Sequence, residues 1–260
     1  MISDEETIQR FQKVLASPAI FGGKGTLQII RGKSPHLWKH AHPGECHRHM
    51  ALFKQSGAIP EYCFGCYKVL VVPRTVIELF KLLITFEEVT LPEDNTRKCM
   101  VENRDYCSGT YKGYVYCRGL EEAKAARKIL RGAVTDRISP HVLVTIKRGC
   151  SEFEQAHPAY GRIKLGAVPM RYPEEWRAQE ELFDRNFPSP PPAPDGRNAV
   201  MGERGVYTSS EIYAMRYWLA YAATLDDNSY VRLAGRTIPK LTDLNRPPLN
   251  ATTSVRTKQK

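Results

Sequence analysis

Between residues 67 and 148 the hydrophobic period switches repeatedly, and that alternation limits the fold more than any other feature of the chain. Tyr67–Val72 (YKVLVV) is short and β-branched, so it is predicted to be a strand, ended by Pro73. Thr75 and Glu78 make a T-x-x-E capping box. Val76, Leu79, Phe80 and Leu83 then recur at helical spacing, predicting a helix to about Val89. Residues 96–103 (TRKCMVEN) and 110–118 (TYKGYVYCR) are predicted strands, with a loop at 104–109 and a break at Gly119. Residues 120–131 (LEEAKAARKILR) form a helix that is acidic at its start and basic at its end, as the helix dipole prefers. Gly132 is placed as its stop. Residues 141–148 (HVLVTIKR) are the fourth strand.

The order β-α-β-β-α-β over 67–149 is that of a ferredoxin-like split βαβ unit, which makes the chain α+β. Right-handed crossovers put the first and third strands at the centre of an antiparallel sheet, with both helices on one face. The other face stays open unless the more than 100 residues after the fourth strand cover it. Side chains alternate along a strand. Tyr111, Gly113, Val115 and Cys117 therefore share the side suited to packing under helices, and Lys112, Tyr114, Tyr116 and Arg118 share the other. Two tyrosines between two cations have the composition of a base-stacking platform with phosphate contacts at its ends. Lys147 and Arg148 add cations at the end of the fourth strand.

Lys112-Gly113-Tyr114-Val115-Tyr116 resembles the start of the RNP1 motif of RNA-recognition-motif domains, which reads Lys/Arg, Gly, aromatic, Gly/Ala, aromatic. The resemblance implies that Tyr114 and Tyr116 stack on bases and that Lys112 meets a phosphate. Val115 stands where that motif has a small residue, and Cys117-Arg118-Gly119 departs from its ending. Toward an RNP2 partner the first strand offers only Tyr67.

Just ahead of the alternating unit lies Cys46-x2-His49, a thirteen-residue spacer, then Cys63-x2-Cys66. Two such pairs are the arrangement of a closed structural zinc site. A two-residue gap lets a tight knuckle aim two side chains at one ion, and two knuckles complete a tetrahedron of sulfur and imidazole donors suited to Zn²⁺. Gly65 relieves crowding inside the second knuckle. His47 is the alternative imidazole to His49. His36 and His40 would share a face of a short helix opened by Ser34-Pro35. Four protein ligands leave no open position for a substrate, so such a site holds structure.

Residues 1–35 supply an N-terminal helix (4–16, with Ile8, Phe11, Val14 and Leu15 on one side) and a lead-in; 36–66 form the Cys/His segment. Residues 150–187 hold a loop and a helix opened by Pro173. Residues 188–196 (PSPPPAPDG) are a stiff linker. Residues 197–260 make a helical C-terminal region, with a Thr208/Glu211 capping box and a basic tail.

The formal net charge is +10, which favours an anionic partner. No apolar run approaches the ~20 residues of a membrane helix. The N-terminus lacks the order of a secretory signal, so a cytoplasmic protein is expected. Seven cysteines without an export signal point to thiols and thiolate ligands rather than disulfides. The sequence thus predicts a zinc-stabilised nucleic-acid-binding protein, for RNA or another single strand, working as a subunit of a ribonucleoprotein or other complex. The rivals are an enzyme on the same fold and a protein-interaction scaffold. The enzyme would be a ribonuclease using His157 and Tyr160, or a metal enzyme using His36 and His40.

Overall fold

The computed structural model describes residues 1–16, 28–31, 45–93, 95–163, 170–187 and 205–238. His36, His40, the 188–196 linker and the basic tail lie outside them. The described residues form a mixed α+β structure. In chain order the elements are α1 (Asp4–Ala16), β1 (Gln28–Arg31), α2 (Glu45–Ser56), α3 (Glu61–Phe64), β2 (Tyr67–Val72), α4 (Val76–Glu88), β3 (Arg97–Val101), β4 (Tyr111–Cys117), α5 (Leu120–Arg137), β5 (Leu143–Arg148), α6 (Ser151–Ala156), α7 (Glu174–Asn186), α8 (Ser209–Thr224) and α9 (Tyr230–Ala234).

Five strands make one antiparallel sheet in the order β1-β3-β4-β2-β5. β2 and β4 are neighbours inside it, flanked by β3 and β5. β1 extends the edge beyond β3 and was not expected from the sequence: at four residues it has no legible period.

Thr75 caps α4 by accepting from the Glu78 N–H, but the Glu78 carboxylate turns outward to Arg74. α4 and α5 cover the sheet face that carries Val69, Val71, Cys99, Gly113 and Val115. A Cβ at Gly113 would run into Leu82 and Phe86, so the glycine is what lets α4 lie this close to β4.

Every residue of α4 from Val76 to Phe86 is buried. A helix apolar all round must be covered on its far side too. That cover is α1, α8 and α9, with Phe11 and Trp218 both edge-on to Phe80 at 4.7 and 5.6 Å between ring centroids. Asp227, just before α9, fastens this layer: its Oδ2 accepts from the Val76 N–H at the start of α4 and from the Tyr111 hydroxyl, each at 2.6 Å. The described C-terminal helices therefore pack on the helix-bearing side of the sheet, where α8 also reaches β1 and β3.

α5 does not stop at Gly132 as expected; it runs on to Arg137. Its buried stripe, Ala123, Ala126, Leu130 and Val134, continues past the glycine. Glycine in a helix costs about 1 kcal/mol relative to alanine, less than the roughly 1.5–3 kcal/mol for burying a valine such as Val134. The segment around Cys46 also differs from the expected knuckle, because Cys46 and His49 lie three residues apart in the first two turns of α2.

The two glycines predict opposite outcomes in urea unfolding. Gly113→Ala should destabilise by about 1–3 kcal/mol through overpacking. Gly132→Ala, on an exposed helix surface with nothing near its Cβ, should stabilise by about 0.5–1 kcal/mol.

Candidate functional site

On the sheet face away from α4 and α5, strand register brings the polar residues into rows. Lys98 pairs with Tyr114, and Tyr114 with Leu70. Tyr116 pairs with Lys68, and Lys68 with Lys147. Two lysines directly opposite one another repel. Lys147 is drawn aside to Ser151 Oγ (2.9 Å) and Glu154 (3.0 Å) on α6. Lys68 instead lies over both tyrosine rings, 5.2 Å from the Tyr116 centroid and 5.9 Å from that of Tyr114. Lys98 approaches the same two rings at 5.9 and 5.4 Å. Neither Lys68 nor Lys98 has a carboxylate partner among the described residues. Next to this cluster is a cavity of about 340 Å³ bounded by Leu70, Tyr114, Lys112, Lys147, Ser151 and Glu154, among others.

The residues expected to hold nucleic acid are placed unequally. Tyr116 is half-buried, but Tyr114 is only 6% exposed. Lys112 is buried against Glu102, Nζ to Oε2 3.2 Å. Arg148 is buried as well, donating to the carbonyls of Phe64 (3.0 Å) and Tyr160 (3.4 Å) and lying over both of their rings. Arg118 is exposed and paired with Glu93 and Glu122. Lys98 and Lys68 complete the cluster, and sequence reasoning passed over both. Period-two parity puts each on the right face, but only register shows that they flank the tyrosines.

The Cys63–Cys66 corner is fastened to the end of β5. The Tyr160 hydroxyl donates to the Cys63 carbonyl (2.5 Å), Arg148 Nε to the Phe64 carbonyl (3.0 Å), and the Gly149 N–H to the Cys66 carbonyl (2.7 Å). Three of the four carbonyls from 63 to 66 are thus held by residues 148–160. Gly149 has φ +51°, and a Cβ there would strike the Tyr160 ring. The Cys66 N–H turns back to the Cys63 carbonyl (3.3 Å), so the second pair does form a tight turn.

Cys63 Sγ and His49 Nδ1 are 3.6 Å apart. Two ligands on a tetrahedral zinc, with Zn–S about 2.3 Å and Zn–N about 2.0–2.1 Å, are separated by roughly the same distance. That one edge fits zinc. Among the described residues no three His, Cys, Asp or Glu side chains already stand together as a metal-holding group. Cys46 is exposed, whereas Cys63 is buried and Cys66 half-buried. Burial pushes the Cys63 thiol well above its usual range and the Cys66 thiol up to about 11. Both are therefore protonated at neutral pH unless a cation displaces the proton.

His157 and Tyr160 are engaged with backbone. His157 Nε2 lies 2.8 Å from the Gly57 carbonyl, and Tyr160 is fully buried on Cys63. No described helix is long and apolar enough to cross a membrane. Compared with protein-family models, curated proteins and solved structures, the chain matches none.

Glu102, at the mouth of β3, is the strongest charge anchor of this face. Burial alone would raise its carboxyl, but hydrogen bonds from Arg104 and the charge of Lys112 outweigh burial and hold it at about 2. A carboxyl depressed in the folded state stabilises above its unfolded value and loses that contribution as pH falls. Stability should therefore drop between about pH 4.5 and 2, by an amount on the order of a few kcal/mol. Glu102→Gln should flatten that limb in denaturant unfolding measured across the same pH range and lower stability at pH 7.

Proposed function

We propose that the chain is a zinc-stabilised nucleic-acid-binding protein whose 67–148 segment is a ferredoxin-like βαββαβ unit. It takes a single strand, RNA in preference, on the sheet face bearing Lys98 and Tyr116. The observation that carries this reading is the cluster of two tyrosines bracketed by Lys68 and Lys98, neither lysine ion-paired among the described residues. An aromatic face gives a base something to stack on, and an uncompensated cation beside it meets the phosphate. The strand order, with β2 and β4 adjacent and flanked by β3 and β5, supports the ferredoxin-like assignment. The net charge of +10 supports an anionic partner.

Phosphate contact falls to Lys98 first, with Lys147 and Arg118 reachable by exchanging their surface ion pairs, which are worth little. Lys112 and Arg148 act by holding the face in place, through Glu102 and through the carbonyls of Phe64 and Tyr160. Tyr116 is the stacking residue and Tyr114 its support. Zinc at the corner of Cys46, His49, Cys63 and Cys66 would anchor the start of β2. A role within a ribonucleoprotein or other complex accords with the same charge. A ribonuclease built on His157 and Tyr160 has less support, because both side chains are held by backbone carbonyls.

Fluorescence anisotropy with a labelled single-stranded RNA tests the reading. Binding should weaken with salt at a log–log slope of about −0.7 per phosphate contact. Tyr116→Ala should weaken it roughly 5- to 150-fold, the equivalent of ~1–3 kcal/mol for one stacked base. Lys98→Gln should remove about one contact from the slope. Affinity unchanged by both substitutions would refute the assignment of this face.

A further inference from the structure

The chain has a third sulfur at the corner that carries Cys63 and Cys66, and it comes from a different part of the sequence. Cys150 follows Gly149 directly, and Gly149 is the residue whose N–H holds the Cys66 carbonyl. β2 and β5 are antiparallel neighbours, with Tyr67 opposite Arg148. The residue before β2 and the residues after β5 therefore meet at one end of the sheet. Cys150 packs against the same buried cluster as Cys63, with Phe153 and Tyr160. The left-handed turn at Gly149 and the Tyr160 ring beneath it fix where the chain goes at this point.

A second observation points to an anion there. Lys68 is 8% exposed, and its ammonium lies 3.6 Å from Cys150 Sγ. The faces of Tyr114 and Tyr116 and the thiols of Cys66 and Cys46 are also near it. A buried cation needs a compensating negative charge. On this corner the group available to supply it is sulfur, and sulfur carries full negative charge as a metal-bound thiolate.

We propose that Cys150 is a metal ligand, completing with His49, Cys63 and Cys66 a closed three-sulfur, one-nitrogen zinc site in which Lys68 donates to the Cys150 thiolate and Cys46 takes no part. The proposal rests on the zinc component of the proposed function and changes its ligand set. His49 and Cys63 already stand at the separation of two zinc ligands. A cysteine sulfur changes position by rotation about one bond, so Cys66 and Cys150 can join that pair on a backbone already clamped by three hydrogen bonds. Cys46, three residues ahead of His49 on α2, lies near enough to Cys150 and Lys68 for both to act on its thiol, but it is the exposed sulfur of the sequence-derived set, and Cys150 takes its place. Each ligand thiol loses its proton to solvent when the ion binds, so three protons leave and three Zn–S bonds form.

Cysteine footprinting on the full unmodified chain tests this without depending on any variant's folding. The protein is treated with N-ethylmaleimide after zinc loading or after chelation, and each cysteine is mapped by mass spectrometry. Zinc should slow labelling of Cys150 by about tenfold or more while Cys46 labels at the same rate in both states. Zinc content of the purified variants gives a second readout: Cys46→Ser should keep about one equivalent and Cys150→Ser should lose it. Protection and zinc dependence at Cys46 with none at Cys150 would overturn the proposal and leave the set Cys46, His49, Cys63 and Cys66 in place. No zinc-dependent protection at any cysteine would overturn both. No RNA binding by the unmodified chain with zinc protection intact would overturn the sheet-face reading alone.

Discussion

Helix α4 is the constraint on which the rest of the molecule depends. It has no polar side to turn to water over Val76–Phe86, and its polar groups are each answered: Glu78 by Arg74, Lys81 by Asp4, the Thr85 hydroxyl by the Lys81 carbonyl, and Glu87 and Glu88 at its end by Arg10 and Arg137. A helix of that kind is stable only between two layers. The sheet supplies one and α1, α8 and α9 the other. α8 and α9 join this helix-bearing side, with α8 also reaching β1 and β3. The opposite face carries lysines and tyrosines, of which Lys68, Lys112 and Tyr114 are buried and Tyr116 is half-buried.

The charges on that face show which residues support it and which remain available. Placing Lys68 across from Lys147 is unfavourable unless something separates them. α6 does so by taking Lys147 onto Ser151 and Glu154, and the two tyrosine rings take Lys68. Lys112 is similarly consumed by Glu102, which also binds Arg104. Among the described residues of this face, Lys68 and Lys98 remain without an ion pair, Lys98 being the less buried of the two, and the functional reading follows from that remainder. Lys68 also joins the two regions of interest, since its ammonium lies between the Tyr116 ring and the Cys150 sulfur. A change of charge at the cysteine corner is therefore felt on the sheet face through one buried side chain.

Elements with a strong local signature were legible in full. The apolar spacing of 4–16 and the β-branched run at 67–72 are observed with the expected bounds. Thr208 and Glu211 form the reciprocal cap that their spacing implies. The parity of β4 was readable too, because Gly113 and Val115 could only suit a crowded face. Local reasoning failed where a distant contact outweighed a local preference. Gly132 looked like a stop until Val134 was seen in the core. Cys46 and His49 have the spacing of half a knuckle, but they sit three residues apart on the first two turns of α2. Cys150 showed no paired spacing, yet a route to it existed: once β2 and β5 are taken as antiparallel neighbours, the start of one must lie beside the end of the other.

By itself the sequence determined the kinds of element, their order, and which side chains share a face, because those follow from periods of 2 and 3.6 and from caps a few residues long. It also determined the stock of chemistry: a basic chain, two tyrosines on one strand face, and a cluster of sulfur and imidazole donors. Only the tertiary structure decided how that stock is divided. Whether a lysine is spent on a neighbour or left free, and which sulfur stands beside which, depends on strand register and on the packing of segments more than 80 residues apart, such as Lys68 and Cys150. No local pattern encodes such distances, since the energy that sets them is the burial of α4 on both sides and the clamping of the Cys63–Cys66 corner by Arg148, Gly149 and Tyr160.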